Sequence, residues 1–162
     1  MAALGLERVL FVVANDPWQK TPDRSISPAT DRLAMVESAL RGEVGLEACS
    51  IEIERGGPSY TIETVEELAR TEGIAEPWVI VGSDLSTTME TWERPDDLRG
   101  LVRLAVLSRP GSPLTLPEGW RAVAVATDEI DLSSSKIRQM VAEQRPIDGL
   151  VTPGVVQHIA EH

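Results

Sequence analysis

Short apolar, β-branched runs alternating with helical patterns constrain this chain more than any other feature. Arg8–Ala14 reads RVLFVVA and Trp78–Val81 reads WVIV, each almost without polar interruption. Such runs suit strands covered on both faces, as in a parallel sheet. Two more strands are expected at about Val102–Ser108 and Arg121–Ala126, on either side of a Gly- and Pro-rich loop around Gly111–Gly119. In 46–54, LEACSIEIE, alternation puts Cys49, Ile51 and Ile53 on one face and predicts a further strand. Between these runs lie helix signals. Ser27 and Pro28 offer an N-cap and a first helical residue for a helix to about Arg41, with Leu33, Val36 and Leu40 on one stripe. Thr61 is expected to cap a helix bearing Ile62, Val65, Leu68 and Ala69. A helical region after Asp84 is broken at Pro95. Leu132–Glu143 starts with three serines and becomes a helix, and Thr152–Pro153 opens the last one. Strands alternating with helices predict one α/β domain over residues 1–162, with a mainly parallel sheet.

Composition narrows the class of partner. The 162 residues carry 26 acidic and 15 basic side chains, a formal charge of −11. A field of that sign disfavours nucleic-acid backbones and anionic lipid, so neither nucleic acid nor membrane is expected as a partner. A small phosphorylated ligand is compatible, since a few local cations hold one phosphate. Lys20 and Lys136 are the only lysines, and both fall in segments with candidate chemistry. No apolar run approaches the roughly 20 residues of a membrane helix. The opening residues lack a signal-peptide pattern, and Cys49 is the lone cysteine, so a cytoplasmic protein is expected.

In parallel sheets, ligands gather beyond the carboxyl ends of the strands. Loops 15–26, 54–61, 82–92 and 127–135 each follow an expected strand and hold the candidate chemistry. Ser133, Ser134 and Ser135 at a helix start, with Lys136 and Arg138 one turn on, suit an anion, because helix N-terminal amides and the dipole favour negative charge. A well-capped helix with exposed cations accounts for the same residues. Asn15 and Lys20, at a strand end and in the polar loop after it, suit a phosphate or an ordinary surface loop. Asp84 within Gly82–Ser83–Asp84 suits ribose hydroxyls or a helix cap. Tyr60 and Thr61 offer an aromatic wall and a hydroxyl, or simply a turn into a helix. Trp92 suits stacking on a heteroaromatic ring or core cover. For Trp78 and Trp120, packing at the core or its rim is expected. His158 and His162 are one turn apart in the terminal helix, a poor metal cage, and no metal site is expected.

Taken in order, these segments resemble the bacterial nicotinate mononucleotide adenylyltransferases, members of the nucleotidyltransferase superfamily. RVLFVVANDPWQK is similar to that family's second strand and its Pro–Pro–His–Lys loop, with Trp18–Gln19 as a variation. DRLAMVESAL resembles the following helix, and RGGPSYTIETVEEL is the most family-specific stretch. VGSD, TW and SRPG follow in register, and LSSSKIR is similar to the superfamily's Ile–Ser–Ser–Thr–x–Ile–Arg signature. The resemblance implies a Rossmann-like fold and transfer of AMP from ATP to nicotinate mononucleotide, with release of pyrophosphate. It implies that Ser133, Ser134, Ser135 and Arg138 hold ATP phosphates, that Gly82, Ser83 and Asp84 serve the nucleotide, and that Asn15 and Lys20 sit near the phosphates to be joined. Tyr60, Thr61 and Trp92 would then recognise the nicotinate ring, Lys20 and Arg138 would take the catalytic roles, and Mg2+ would arrive with ATP.

The family opens with a strand, a Gly–x–Phe–Asp–Pro-type turn and a His–x–Gly–His motif, none of which occurs in these 162 residues. Met1–Glu7 resembles the end of the helix that should follow. The resemblance then implies a missing central strand and turnover impaired in chemistry more than in recognition. A start further upstream, a truncation completed by a second copy in a homo-oligomer, and a non-catalytic nucleotide-binding relative all stay open. Within the enzyme class the rival is an adenylyl- or cytidylyltransferase with another acceptor.

Overall fold

The computed structural model describes residues 1–17, 26–127 and 132–161. It resolves into two compact units, Met1–Ser59 with Leu132–His162, and Tyr60–Asp131.

In the first unit, strand β1 (Val9–Val12) pairs in parallel with β2 (Leu46–Cys49), with Val9 opposite Leu46 and Val12 opposite Cys49. Helix α1 (Ala29–Ala39) connects them, packing on β2 and on α7 (Pro153–Glu161). Pro28 takes the N-cap position of α1, so this helix starts one residue later than Ser27 implied. The α1–α7 approach is close: a Cβ on Gly154 would stand 2.0 Å from Ser38 Oγ. The strand expected over 46–54 is correct only in its first half. Ile51–Arg55 forms a short helix, α2, with Ser50 at its N-cap. Glu52 and Glu54 favour a helical first turn through the dipole, and Ser50 Oγ donates to the Glu54 carboxylate one turn on. These local bonds override the alternation that suggested a strand. Helix α6 (Ser134–Ala142) follows Ser133 as N-cap.

The second unit is a three-stranded parallel sheet in the order β3 (Trp78–Gly82), β4 (Arg103–Leu107), β5 (Ala122–Val125). Central β4 places Leu104, Ala105 and Val106 at 1% exposure or less, as an unbroken apolar run should. Helix α3 (Thr61–Glu72) buries Ile62, Val65 and Leu68. Thr64 completes the buried stripe and Ala69 is exposed, in place of the Ala69 contact expected. Tyr60, not Thr61, occupies the N-cap position of α3. After β3 come α4 (Ser83–Ser86), a 3-10 turn at Met89–Thr91, and α5 (Pro95–Leu101). Pro95 starts α5 because a proline at the first helical position lacks only an N–H that would go unused. Ile62, Val65, Val81, Met89, Leu98, Val102, Leu104, Val106 and Trp120 form one core.

Both tryptophans assigned to packing do pack. Trp120 is 8% exposed, donates from Nε1 to Glu90 at 2.9 Å and lies under the Arg99 guanidinium at 5.3 Å. Trp78 lies under Arg103 at 5.7 Å, and Glu76 pairs with both Arg103 and Arg121. Among the described residues no helix is long and apolar enough to cross a membrane.

Candidate functional site

In the first unit, the loops that follow β1 and α2 are laced together. Asn15 Nδ2 donates to the Gly57 carbonyl at 2.9 Å. The Asp16 N–H donates to Ser59 Oγ at 3.2 Å, and the Ser59 N–H donates back to the Asp16 carbonyl at 2.9 Å. Arg32 of α1 fixes the loop from behind, donating from Nη2 to the Asn15 carbonyl at 3.1 Å and from Nε to the Ser27 carbonyl at 3.0 Å. Asn15 is thus held at the strand end where it was expected. Lys20, with Trp18 and Gln19, lies outside the described residues.

Ser133, Ser134, Ser135 and Arg138 stand together at the start of α6, all exposed. Ser133 Oγ accepts from the Lys136 N–H at 3.1 Å, so the first serine is the N-cap. Arg138 Nη2 donates to Ser135 Oγ at 3.2 Å, which turns the guanidinium back toward the helix start. The first turn of a helix leaves N–H groups without intrahelical acceptors, and its dipole attracts an anion. A hydroxyl, backbone amides and a cation converge there.

In the second unit, the carboxyl ends of β3 and β4 bring Asp84 against Arg109, which was not among the residues singled out from sequence. Arg109 Nη1 lies 3.0 Å from Asp84 Oδ2, and both side chains are more than a third exposed. Gly82 borders this pair. Its backbone, φ −75° and ψ 155°, suits any residue, but a Cβ would stand 2.3 Å from Asp84 Oδ1 and 2.9 Å from Arg109 Cδ. What a side chain here would meet is the ends of two flexible side chains, which would have to shift, and no strained backbone. Ser83, expected to serve the nucleotide, has its side chain turned inward. It is 2% exposed, accepts from the Arg109 N–H at 3.1 Å, and donates to the Ser112 carbonyl at 3.3 Å. Its hydroxyl is spent on holding the loop that carries Arg109. Ser86, fully buried, reaches the Thr115 carbonyl at 2.8 Å and holds the same loop further on.

Trp92 and Tyr60 are half-buried and pack on the core of this unit. The indole Nε1 of Trp92 is buried and has no hydrogen-bond partner among the described residues. Thr61 opens α3 directly after Tyr60, whose carbonyl accepts from the Thr64 N–H at 3.3 Å. Among the described residues no three His, Cys, Asp or Glu side chains gather as a metal cage. The signal for Arg109 was available: SRPG directly follows β4, at the edge where ligands bind.

A serine-capped helix start with a returning arginine, and a glycine–aspartate turn at a strand end, are the features by which the chain resembles nucleotidyltransferases. The cytidylyltransferase-like family model matches residues 1–140. A probable nicotinate-nucleotide adenylyltransferase of Corynebacterium kroppenstedtii is 36% identical over 160 residues, covering 96% of this chain and 75% of the relative. The chain belongs to the nicotinate-nucleotide adenylyltransferase family. A second such relative, from Bordetella avium, is 37% identical over 171 residues, covering 100% of this chain and 84% of its own. The fold is likewise that of this family. Plasmodium falciparum nicotinic acid mononucleotide adenylyltransferase, complexed with NaAD, matches with a TM-score of 0.74 at 13% identity, over 96% of this chain and 80% of its own.

Proposed function

We propose that this chain transfers AMP from ATP to the phosphate of nicotinate mononucleotide, yielding nicotinate adenine dinucleotide and pyrophosphate in NAD biosynthesis. The observation that carries this reading is 36% identity over 96% of the chain to a relative bearing that name. An oxygen of the acceptor phosphate attacks the α-phosphorus of ATP, and the bond from that phosphorus to the pyrophosphate oxygen breaks. No covalent enzyme intermediate is needed, so the protein's task is alignment and neutralisation of charge.

Ser133, Ser134, Ser135 and Arg138 bind ATP phosphates, a role supported by the exposed helix start and the returned guanidinium. Asp84 takes ribose hydroxyls, with Gly82 leaving its carboxylate room. Ser83 contributes through the loop it holds. Asn15 and Lys20 sit by the phosphates being joined, with Lys20 and Arg138 stabilising the charge that develops there. Tyr60, Thr61 and Trp92 recognise the nicotinate ring. Magnesium comes with ATP, held by its phosphates as this ion commonly is. We place the reaction in the cytoplasm, on the lone cysteine and the small anionic substrates.

The test is pyrophosphate release from ATP plus nicotinate mononucleotide with magnesium. Release that depends on both substrates supports the reading. Thermal stabilisation by both ligands without release would favour a non-catalytic nucleotide-binding relative. Release only with a different phosphorylated acceptor would move the chain to another adenylyltransferase specificity.

A further inference from the structure

The segment carrying Trp92 is pinned at two points. On its amino-terminal side, Met89 is 1% exposed within the core. On the other side stands Arg94, one of two non-glycine residues with positive φ among those described, at φ 49° and ψ 58°. Left-handed backbone is unfavourable for a side chain as large as arginine and persists where the surroundings over-determine it. The determinants here are three charge-assisted hydrogen bonds. Arg94 Nη1 and Nη2 donate to Glu66 Oε2 and Oε1 at 3.1 and 2.7 Å, a bidentate fork, and Nε donates to Asp97 Oδ2 at 2.7 Å.

These bonds join α3, which opens at the candidate acceptor-binding residue Thr61, to the first turn of α5, which starts three residues after Trp92. Glu66 lies on α3, the helix that begins at Thr61 directly after Tyr60, and Asp97 lies in the first turn of α5. Trp92 sits between the Met89 anchor and Arg94, in extended backbone at φ −74° and ψ 160°. No described residue accepts a hydrogen bond from its indole, so the ring is oriented by packing and by its backbone. Isolated surface ion pairs contribute little, but a bidentate arginine fork with a third bond carries geometric information.

We propose that Arg94 is a positioning residue for the acceptor. Its clamp on Glu66 and Asp97 sets the Trp92 ring relative to Tyr60 and Thr61, and thereby sets affinity for the pyridine mononucleotide. This rests on the assignment of Trp92 to the acceptor ring given above.

The experiment is calorimetric titration of nicotinate mononucleotide, and separately of magnesium ATP, into the wild-type chain and into Arg94→Ala, Arg94→Lys, Arg94→Gly, Glu66→Gln and Trp92→Ala. Arg94→Ala is expected to weaken the mononucleotide about tenfold and ATP less than twofold. Arg94→Gly, which relieves the left-handed backbone but removes the fork, is expected to weaken it as much. Arg94→Lys, which keeps the charge without the bidentate geometry, should fall between. The double variant Arg94→Ala/Glu66→Gln should be no weaker than Arg94→Ala alone, since both remove one interaction. If Arg94→Lys and Glu66→Gln lower the melting temperature yet leave the ratio of the two affinities unchanged, the clamp is merely structural and the proposal is overturned. If Trp92→Ala weakens the acceptor while no Arg94 variant does, the proposal alone is overturned. If Trp92→Ala itself leaves acceptor affinity intact, the acceptor-ring assignment fails, and the proposal falls with it.

Discussion

Replacing Gly82 by alanine puts a methyl group where the Asp84 carboxylate and the Arg109 side chain now stand. The backbone accepts it, so the effect comes from the 2.3 Å approach to Asp84 Oδ1 and the 2.9 Å approach to Arg109 Cδ. Asp84 must withdraw by roughly 1 Å to restore ordinary van der Waals separation. Stability then changes by terms that largely offset one another. An exposed ion pair contributes about 0.2–1 kcal/mol, and a side chain pushed off its rotamer costs about 0.5–1.5 kcal/mol. Alanine returns about 0.5–1 kcal/mol through the less flexible unfolded chain. The net runs from no loss to about 2 kcal/mol, a fall in melting temperature of at most about 8 °C for a chain of this size. Ligand affinity should respond more steeply. A displaced carboxylate forfeits a hydrogen bond to a charged group, about 1.5–3 kcal/mol, which is about 10- to 150-fold in ATP affinity. Urea denaturation and calorimetric ATP titration on the same preparation separate the two effects. Wild-type ATP affinity in Gly82→Ala would refute Asp84 as the ribose-binding residue. A stability loss above about 3 kcal/mol would show that the glycine serves the fold instead.

Three further changes probe other parts of the molecule. Ser133→Ala removes the acceptor for the Lys136 N–H; it should cost about 1 kcal/mol of stability and weaken ATP more than the mononucleotide, both read by titration and urea midpoint. Glu90 accepts from the Trp120 indole and from Arg99, and the indole bond first, then Arg99, holds its carboxyl below the usual value of 4.5. A depressed folded value gives stability that is present above pH 4.5 and lost as pH falls below it, so the gap in urea midpoint between wild type and Glu90→Gln should be full at pH 7 and close on acidification. Leu104→Ala empties a site at 0% exposure in the central strand β4; it should cost about 2–5 kcal/mol on denaturation.

The sequence was most legible where one physical signal dominated. RVLFVVA, WVIV and RLAVL are strands because nothing polar interrupts them, and their parallel pairing follows from the helices between. The serine cap of α6 was equally plain, since few residues other than Ser, Thr, Asp and Asn serve there. The reading failed at Ile51–Arg55, where alternation and a single helical turn fit the same five residues and the Ser50–Glu54 bond decides. Ser83 reads like any exposed glycine-turn serine, and only the fold shows its hydroxyl bonded to the 109–112 segment. The Arg94 fork to Glu66 and the Arg109 pair with Asp84 were invisible because those carboxylates lie 28 and 25 residues away along the chain. Spacing reports local pairs only.

The division of the chain into a contiguous unit and a discontinuous one bears on how it is made. Tyr60–Asp131 is complete, in order, before the last 31 residues are synthesised, and its sheet needs nothing from them. Helix α1 is different. Its partner α7 begins 124 positions after Ala29, at Pro153, and meets it closely enough that a Cβ on Gly154 would displace the Ser38 hydroxyl. A nascent chain therefore carries the α7-facing side of α1 uncovered through most of translation, although β2 is available early, while the inserted unit is already free to fold. Chaperone occupancy during synthesis should accordingly concentrate on the first helix and end only when the carboxyl-terminal turns emerge.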